Sequence, residues 1–88
     1  MNILIDKSFE KDTDKIKDKK LLSSIANIIE EIKECKLPTE IKNIKKIKGS
    51  QQHYRIHKGN YRIGLTIVGD GVTFLRFLDR KDIYKYFP

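Results

Sequence analysis

The sequence has one cysteine, no tryptophan and two prolines among its 88 residues. A single cysteine, Cys35, excludes an internal disulfide framework and a cysteine zinc site. No apolar run approaches the roughly 20 residues that a membrane span needs. The opening segment Met1–Asp6 runs straight into charge, so we expect no signal peptide. These absences favour a cytoplasmic protein in which Cys35 is an unreactive, half-buried thiol.

The chain is short and basic. So few residues build one hydrophobic core, and we therefore expect residues 1–88 to form a single domain. Lysine and arginine number 19 against 12 acids, which gives a formal net charge of +7. Residues 36–62 hold eight basic residues and one acid, while the rest of the chain is balanced. This concentrated charge favours an anionic partner: nucleic acid, an acidic protein or, less often, an anionic membrane.

Two amphipathic segments in the first half predict helices. Phe9, Thr13 and Ile16 mark one face of a short helix, for which Ser8 is the expected N-cap. A stronger helix follows, and Pro38 ends its pattern. Its apolar residues recur at helical spacing up to about Cys35: Leu21, Leu22, Ile25, Ile28, Ile29 and Ile32. The two helices are expected to form an antiparallel hairpin whose apolar seam faces a sheet.

The second half alternates apolar and polar residues with a period of two, which predicts strands. The expected strands, including one at the start of the chain, are Met1–Asp6, His53–Lys58, Tyr61–Val68 and Val72–Leu78. Lys42–Gly49 is either a loop or a short edge strand, and Arg80–Phe87 is expected to form one or two helical turns capped by Asp79. The fold class is therefore α+β, with the two helices on one face of a twisted antiparallel sheet. Its other face is expected to stay open.

The hairpin turn at Gly59-Asn60, or one residue earlier, decides which side chains share a face. In either case four apolar or aromatic side chains face the helices: Tyr54, Ile56, Tyr61 and Ile63. Three cationic or titratable side chains share the open face: Arg55, His57 and Arg62. A three-residue loop at Gly69–Gly71 would bury Leu75 and Phe77 and direct Arg76 to the cationic face. We favour this loop because burying an unpaired arginine is costly. The predicted core is Ile25, Ile29, Ile32, Tyr54, Ile56, Ile63, Leu65 and Ile67.

Three motifs resemble the RelE/ParE toxin superfamily. Tyr54–Ile63 is similar to its "YRIR-x-G-x-YR" core, and Asp79–Tyr84 resembles its closing "HR-x-x-IY" motif. Lys45–Gly49 is similar to its "K-x-L-x-G" segment. The element order agrees as well, so the resemblance spans nearly the whole chain and implies a RelE-like fold. One departure is Asp79, which stands where many relatives have histidine.

The resemblance implies a toxin of a type II toxin–antitoxin system. RelE-like members cut mRNA in the ribosomal A site, whereas ParE-like members inhibit DNA gyrase. In a RelE-like reading, Arg62 and Arg80 bind the scissile phosphate, Arg55 orients the backbone, His57 acts as base or acid, and Tyr84 stacks on a base or relays a proton. Tyr86 is a second candidate for that tyrosine. Further RNA-binding side chains are Lys45, Lys46, Lys48, Lys58 and Arg76.

Three functions remain open from the sequence. The first is a ribosome-dependent endoribonuclease, the second a gyrase inhibitor that is not an enzyme, and the third a basic RNA-binding domain without catalysis. A metal-dependent nuclease needs clustered carboxylates, and the second half offers only Asp70, Asp79 and Asp82, so no metal or other cofactor is expected. The expected partners are the ribosome, mRNA and a small acidic antitoxin, with which the chain would form a hetero-oligomer.

Overall fold

The computed structural model describes residues 1–88 as three helices and a five-stranded sheet. In chain order the elements are β1 (Asn2–Ile5), α1 (Lys7–Asp14), α2 (Lys19–Glu34), a 3-10 turn (Pro38–Glu40), β2 (Ile44–Lys46), β3 (His53–Lys58), β4 (Tyr61–Val68), β5 (Gly71–Asp79) and α3 (Arg80–Tyr86). The α+β class is confirmed. The segment with two possible readings, 42–49, contains the short edge strand β2.

Aspartates, rather than the expected serine, begin the first two helices. The Asp6 carboxylate accepts a hydrogen bond from the Ser8 backbone N–H at 3.1 Å, so Asp6 is the N-cap of α1. The Asp18 carboxylate accepts from the N–H groups of Lys20 and Leu21 and caps α2. Helix α2 ends at Glu34, just before the segment that Pro38 turns into a single 3-10 turn. The prediction that Ser8 is the cap is therefore wrong by two residues.

The sheet is mixed, in the order β1-β5-β4-β3-β2. Strands β2 to β5 are antiparallel neighbours, as expected, but β1 runs parallel to β5, with Ile3 opposite Val72 and Ile5 opposite Phe74. The expectation of a wholly antiparallel sheet is therefore wrong at this edge. Strand β1 pairs with β5, the last strand along the chain, and the two helices then connect β1 to β2 at the opposite edge of the sheet.

The register of β3 and β4 is the one of the two predicted registers that places the turn at Gly59-Asn60. Ile56 lies opposite Ile63 and His57 opposite Arg62, with Gly59-Asn60 as the turn. Ile63 and Leu65 are fully buried. Of the eight predicted core residues, six are buried, whereas Ile29 and Tyr54 pack half-buried against the core. The core also contains Phe9 of α1, whose ring packs edge-on against Phe74 at 5.4 Å between centroids.

The β4–β5 hairpin differs from the prediction in how it shifts its register. The turn has two residues, with Val68 opposite Gly71, and the expected three-residue loop is wrong. A β-bulge inside the hairpin supplies the shift, because Leu65 lies opposite Phe74 whereas Gly64 lies opposite Arg76, which leaves Leu75 without a partner. Phe74 and Phe77 are consequently both buried, and Leu75, expected in the core, is only half-buried.

The face of the sheet opposite the helices is partly covered, contrary to the expectation. Gly64 lies between two core-facing residues of β4 and therefore points to that second face. The ring of Phe87, which is 8% exposed, lies directly against Gly64. Phe87 follows α3, so the C-terminal segment covers the middle of the face that was expected to be open.

Candidate functional site

Three neighbouring strands bring a group of cationic and titratable side chains onto the second face of the sheet. Arg55 and His57 alternate with core residues on β3, and Arg62 lies directly opposite His57 on β4. Lys45 of β2 lies opposite Arg55. Directly paired residues share a face, so these four form one group, which we call the cationic cluster. The predicted grouping of Arg55, His57 and Arg62 is thus what the strand register produces.

The cationic cluster changes the proton affinity of its only titratable imidazole. Partial desolvation lowers the pKa of His57 from its ordinary value of 6.5, and the charges of Arg62, Arg55 and Lys45 lower it further. Each neighbouring cation disfavours a second positive charge on the ring. His57 is nevertheless exposed to solvent and accessible to a ligand. The site therefore presents a neutral imidazole at neutral pH, surrounded by positive charge.

Arg62 is buried, with only 8% of its surface exposed to solvent. Its Nη1 donates to the backbone carbonyls of Gly59 and Tyr61, both at 2.8 Å. Gly59 has a positive φ of 57° in the β3–β4 turn, so Arg62 holds the turn that follows His57. The Nε atom of Arg62 is buried and has no hydrogen-bond partner. Arg62 thus combines a structural role in the turn with a buried positive charge beside His57.

Helix α3 brings a tyrosine to Arg55. The guanidinium carbon of Arg55 lies 4.7 Å from the centroid of the Tyr84 ring, a cation–π arrangement. Tyr84 is 60% exposed, and the Nε atom of Arg55 is buried without a hydrogen-bond partner. Tyr86, the other candidate, lies instead beside Arg76 in a cleft of about 570 Å³ between α1 and α3. Of the two tyrosines, only Tyr84 is in contact with the cationic cluster.

The start of α3 lies next to the β3–β4 turn. The backbone N–H of Arg80 donates to the carbonyl of Asn60 at 2.9 Å, and the Arg80 side chain is exposed. Asp79 caps the helix by accepting from the Lys81 N–H at 2.9 Å, as expected. The Asp79 carboxylate, at the position of the histidine in many relatives, therefore acts as a helix cap.

The predicted RNA-binding side chains separate into different surfaces. Lys45 belongs to the cationic cluster. Lys46 lies opposite Tyr54 and Lys58 opposite Tyr61, so both point to the face of the sheet opposite the cationic cluster. Lys48 is exposed in the turn after β2. All four lysines lie along the β2–β3 edge, but only Lys45 shares a face with His57.

Arg76 does not join the cationic cluster. Its Nε donates to Asp12 of α1 at 2.8 Å and its Nη2 at 3.2 Å, and this hydrogen-bonded partner raises the pKa of Arg76. The Asp12 side chain is 5% exposed and also accepts from the Phe77 N–H. Strand pairing puts Arg76 opposite Gly64, on the second face as predicted, but the buried Asp12 carboxylate of α1 binds its guanidinium, which therefore does not stand free among the cationic side chains. The signal in the sequence was an acid three residues after Phe9, on the apolar stripe of α1.

Two absences complete the description. No group of three or more histidine, cysteine, aspartate or glutamate side chains is arranged to hold a metal ion. None of the three helices combines the length and the apolar character that a membrane span requires.

Known proteins are similar to this chain in sequence and in fold. A sequence model of the ParE toxin of the type II toxin–antitoxin system parDE matches residues 3–84. Toxin RelE3 of Methanocaldococcus jannaschii is 44% identical over 89 residues, covering all of both chains. The family model and this relative together show that the chain is a toxin of a type II toxin–antitoxin system.

Solved structures agree. A chain in the crystal structure of the RelB–RelE antitoxin–toxin complex from Methanococcus jannaschii superimposes with a TM-score of 0.80 at 43% identity, covering 97% of this chain and 99% of that one. A chain of the E. coli DinJ–YafQ complex shares the fold, with a TM-score of 0.62 at 14% identity over 99% of this chain and 98% of that one. The chain belongs to the RelE/ParE superfamily of type II toxin–antitoxin toxins.

Proposed function

We propose that this chain is a ribosome-dependent endoribonuclease that cuts mRNA and so blocks translation. The observation that carries the proposal is the position of His57, which lies directly opposite Arg62 and shares a face with Arg55 and Lys45. Partial desolvation and these cations also lower its pKa. A neutral imidazole can accept a proton at neutral pH, as a general base must. Inhibition of a partner by binding alone would use the positive charges but would not need a proton acceptor among them.

The proposed reaction is an internal transfer at the phosphate. The 2′-oxygen of the substrate forms a bond to phosphorus as the bond to the 5′-oxygen breaks, which leaves a 2′,3′-cyclic phosphate and a 5′-hydroxyl. His57 takes the proton from the 2′-hydroxyl. The guanidinium groups of Arg62, Arg80 and Arg55 stabilise the negative charge that develops on the phosphate oxygens. Tyr84 stacks on a base or relays the proton that the leaving 5′-oxygen requires.

The proposed partners follow from the charge of the chain and from its relatives. The net charge of +7 suits RNA and, in the absence of RNA, an acidic antitoxin. The solved complex of a similar toxin with RelB supports an antitoxin as the partner of this chain too. A largely disordered acidic chain that folds on binding could cover the cationic cluster. The resulting hetero-oligomer would form in the cytoplasm, where the ribosomes are.

A second candidate function is inhibition of DNA gyrase without catalysis. It is favoured by the match of residues 3–84 to the ParE toxin family. This function needs no general base, so it predicts that His57 can be replaced without loss of toxicity. The two candidates therefore differ in their dependence on one side chain.

The decisive experiment adds the purified chain to translating ribosomes and maps mRNA ends by toeprinting. The wild type should cut, and His57→Gln should lose about 100-fold or more in rate. Lys46→Gln is the matched control and should cut normally, because it removes an exposed charge on the face of β2 opposite the cationic cluster. Intact mRNA together with blocked gyrase supercoiling would establish the second candidate. Intact mRNA and active gyrase would leave an RNA-binding domain without catalysis.

The antitoxin is tested separately. Co-expression of the neighbouring acidic gene product should rescue growth, and its association rate with the chain should fall steeply as ionic strength rises. A chain that is harmless at high expression and binds no neighbouring product would contradict the toxin–antitoxin assignment of its partner.

A further inference from the structure

Gly64 leaves a gap in the second face of the sheet, and Phe87 fills it. A Cβ added at Gly64 would lie 2.8 Å from Cγ and Cδ1 of Phe87 and 2.9 Å from its Cδ2. Carbon atoms do not approach so closely, so any side chain at position 64 would displace the ring. The absence of a side chain at this position is therefore what allows Phe87 to lie against the β4 backbone.

Phe87 is held from other sides as well. Its ring packs edge-on against His53 at 5.5 Å between centroids, and the Nδ1 of His53 is 2.7 Å from the Ser50 Oγ. The Phe87 N–H donates to the Ile83 carbonyl at 3.0 Å, which continues the last turn of α3. Ile83 itself is 1% exposed. The helix is thus seated on the protein at two buried side chains, Ile83 and Phe87.

Tyr84 lies between these two anchors but has little packing of its own. Its side chain is 60% exposed and forms no hydrogen bond, and its contact with Arg55 is the cation–π arrangement at 4.7 Å. A cation–π contact at an exposed site is too weak to order a helix by itself. The position of the Tyr84 ring over Arg55 must therefore be set by the anchors on either side.

We propose that Phe87, seated in the gap at Gly64, is a positioning residue that holds Tyr84 over Arg55 for RNA cleavage. This inference rests on the proposed function and adds to it a residue that does not touch the substrate. Arg55 has a buried Nε without a hydrogen-bond partner, and its guanidinium carbon lies 4.7 Å from the centroid of the Tyr84 ring. Loss of Phe87 should free the tyrosine while the core on the helix side of the sheet stays intact.

The first test is independent of activity. The Nε–Hε resonance of Arg55 is measured by NMR in the full chain, where the Tyr84 ring current shifts it. Tyr84→Leu defines the position without the ring. Phe87→Ala and Gly64→Ala, which break the same contact from opposite sides, should both move the resonance to the Tyr84→Leu position. Phe87→Leu, which refills part of the gap, should restore it in part and decides the outcome should Phe87→Ala fail to fold.

Two controls match these variants. Val68→Ala shortens an exposed side chain on the same strand, and Gly71→Ala adds a Cβ that meets only the Val68 carbonyl oxygen, at 3.3 Å. Both should leave the Arg55 resonance unchanged. A resonance that stays in place in folded Phe87→Leu and Gly64→Ala, or one that Tyr84→Leu does not move, would overturn the proposal.

The second test is cleavage on translating ribosomes. Phe87→Ala should lower kcat by about 100-fold, the typical effect of a misplaced group, with KM unchanged. In a Tyr84→Leu background the same substitution should cause no further loss, because the tyrosine through which it acts is gone. An additional loss there would overturn the positioning role. A wild type that leaves mRNA intact would refute the proposed function, whereas the NMR result would still report on the placement of Tyr84.

Discussion

The buried ion pair between Asp12 and Arg76 makes α1 depend on β5, and removing it should destabilise the fold strongly. The Asp12 carboxylate accepts from Nε and Nη2 of Arg76 at 2.8 and 3.2 Å and from the Phe77 N–H at 2.9 Å. Asp12→Ala would leave a buried amide without an acceptor and a guanidinium, on a side chain 29% exposed, without its counter-charge. Both groups are worse solvated in the folded protein than in the unfolded chain.

The expected loss follows from these contacts. Removing one partner of a buried pair costs about 3–5 kcal/mol, and the partial exposure of Arg76 favours the lower end, about 3 kcal/mol. In a domain of this size 1 kcal/mol corresponds to about 4–8 °C in Tm, so Asp12→Ala should lower Tm by about 12–24 °C. The measurement is thermal and urea unfolding followed by circular dichroism.

A surface pair of similar length provides the control. Lys33 and Glu30 are 3.1 Å apart, with side chains 49% and 68% exposed. Lys33→Ala should therefore cost less than about 1 kcal/mol. The double variant Asp12→Ala/Arg76→Ala should be less destabilised than the sum of its single variants, because no unpaired charge remains. If Asp12→Ala is as stable as Lys33→Ala, the assignment of the pair as a main link between α1 and β5 is wrong.

Three further predictions concern the site. The lowered pKa of His57 means that the cleavage rate should fall as the pH is lowered, with a midpoint below 6.5, and a midpoint above 6.5 would contradict the role of the cationic cluster. The sign is the same for stability, since the unfolded chain binds the proton more tightly and the folded state is weakened as pH falls through that range. Lys45→Ala should lower the salt dependence of RNA binding by about one phosphate contact, whereas Lys46→Ala should not, and equal effects would refute the division by strand face. Arg62→Ala should lower the cleavage rate by about 100- to 1000-fold, because it removes a positive charge beside the phosphate site. It should also lower the free energy of unfolding by about 1–3 kcal/mol, because it removes two hydrogen bonds of the β3–β4 turn. A variant that cleaves at the wild-type rate would show that the site is elsewhere.

The alternating pattern of β3 and β4 was sufficient to predict that three of the four residues of the cationic cluster, Arg55, His57 and Arg62, share one face. Neighbouring side chains on a strand point to opposite faces, and a two-residue turn at Gly59-Asn60 leaves one register. Either turn position puts His57 and Arg62 on the face opposite Ile56 and Ile63, and the structure has the turn at Gly59-Asn60, which pairs His57 with Arg62. The capping role of Asp79 followed from equally local chemistry.

Only the tertiary structure decided the elements that depend on distant segments. The parallel pairing of β1 with β5 joins residues about 70 positions apart, with Asn2 opposite Gly71, and no local pattern specifies it. The bulge at Leu75 arises because Phe74 and Phe77, three residues apart, must both reach the core, and a regular strand would direct them to opposite faces. The site depends on such long-range contacts as well. The Arg76 side chain is bound by Asp12 instead of joining the site, and the Tyr84 ring lies over Arg55 on a helix whose C-terminal neighbour, Phe87, packs on a glycine of β4.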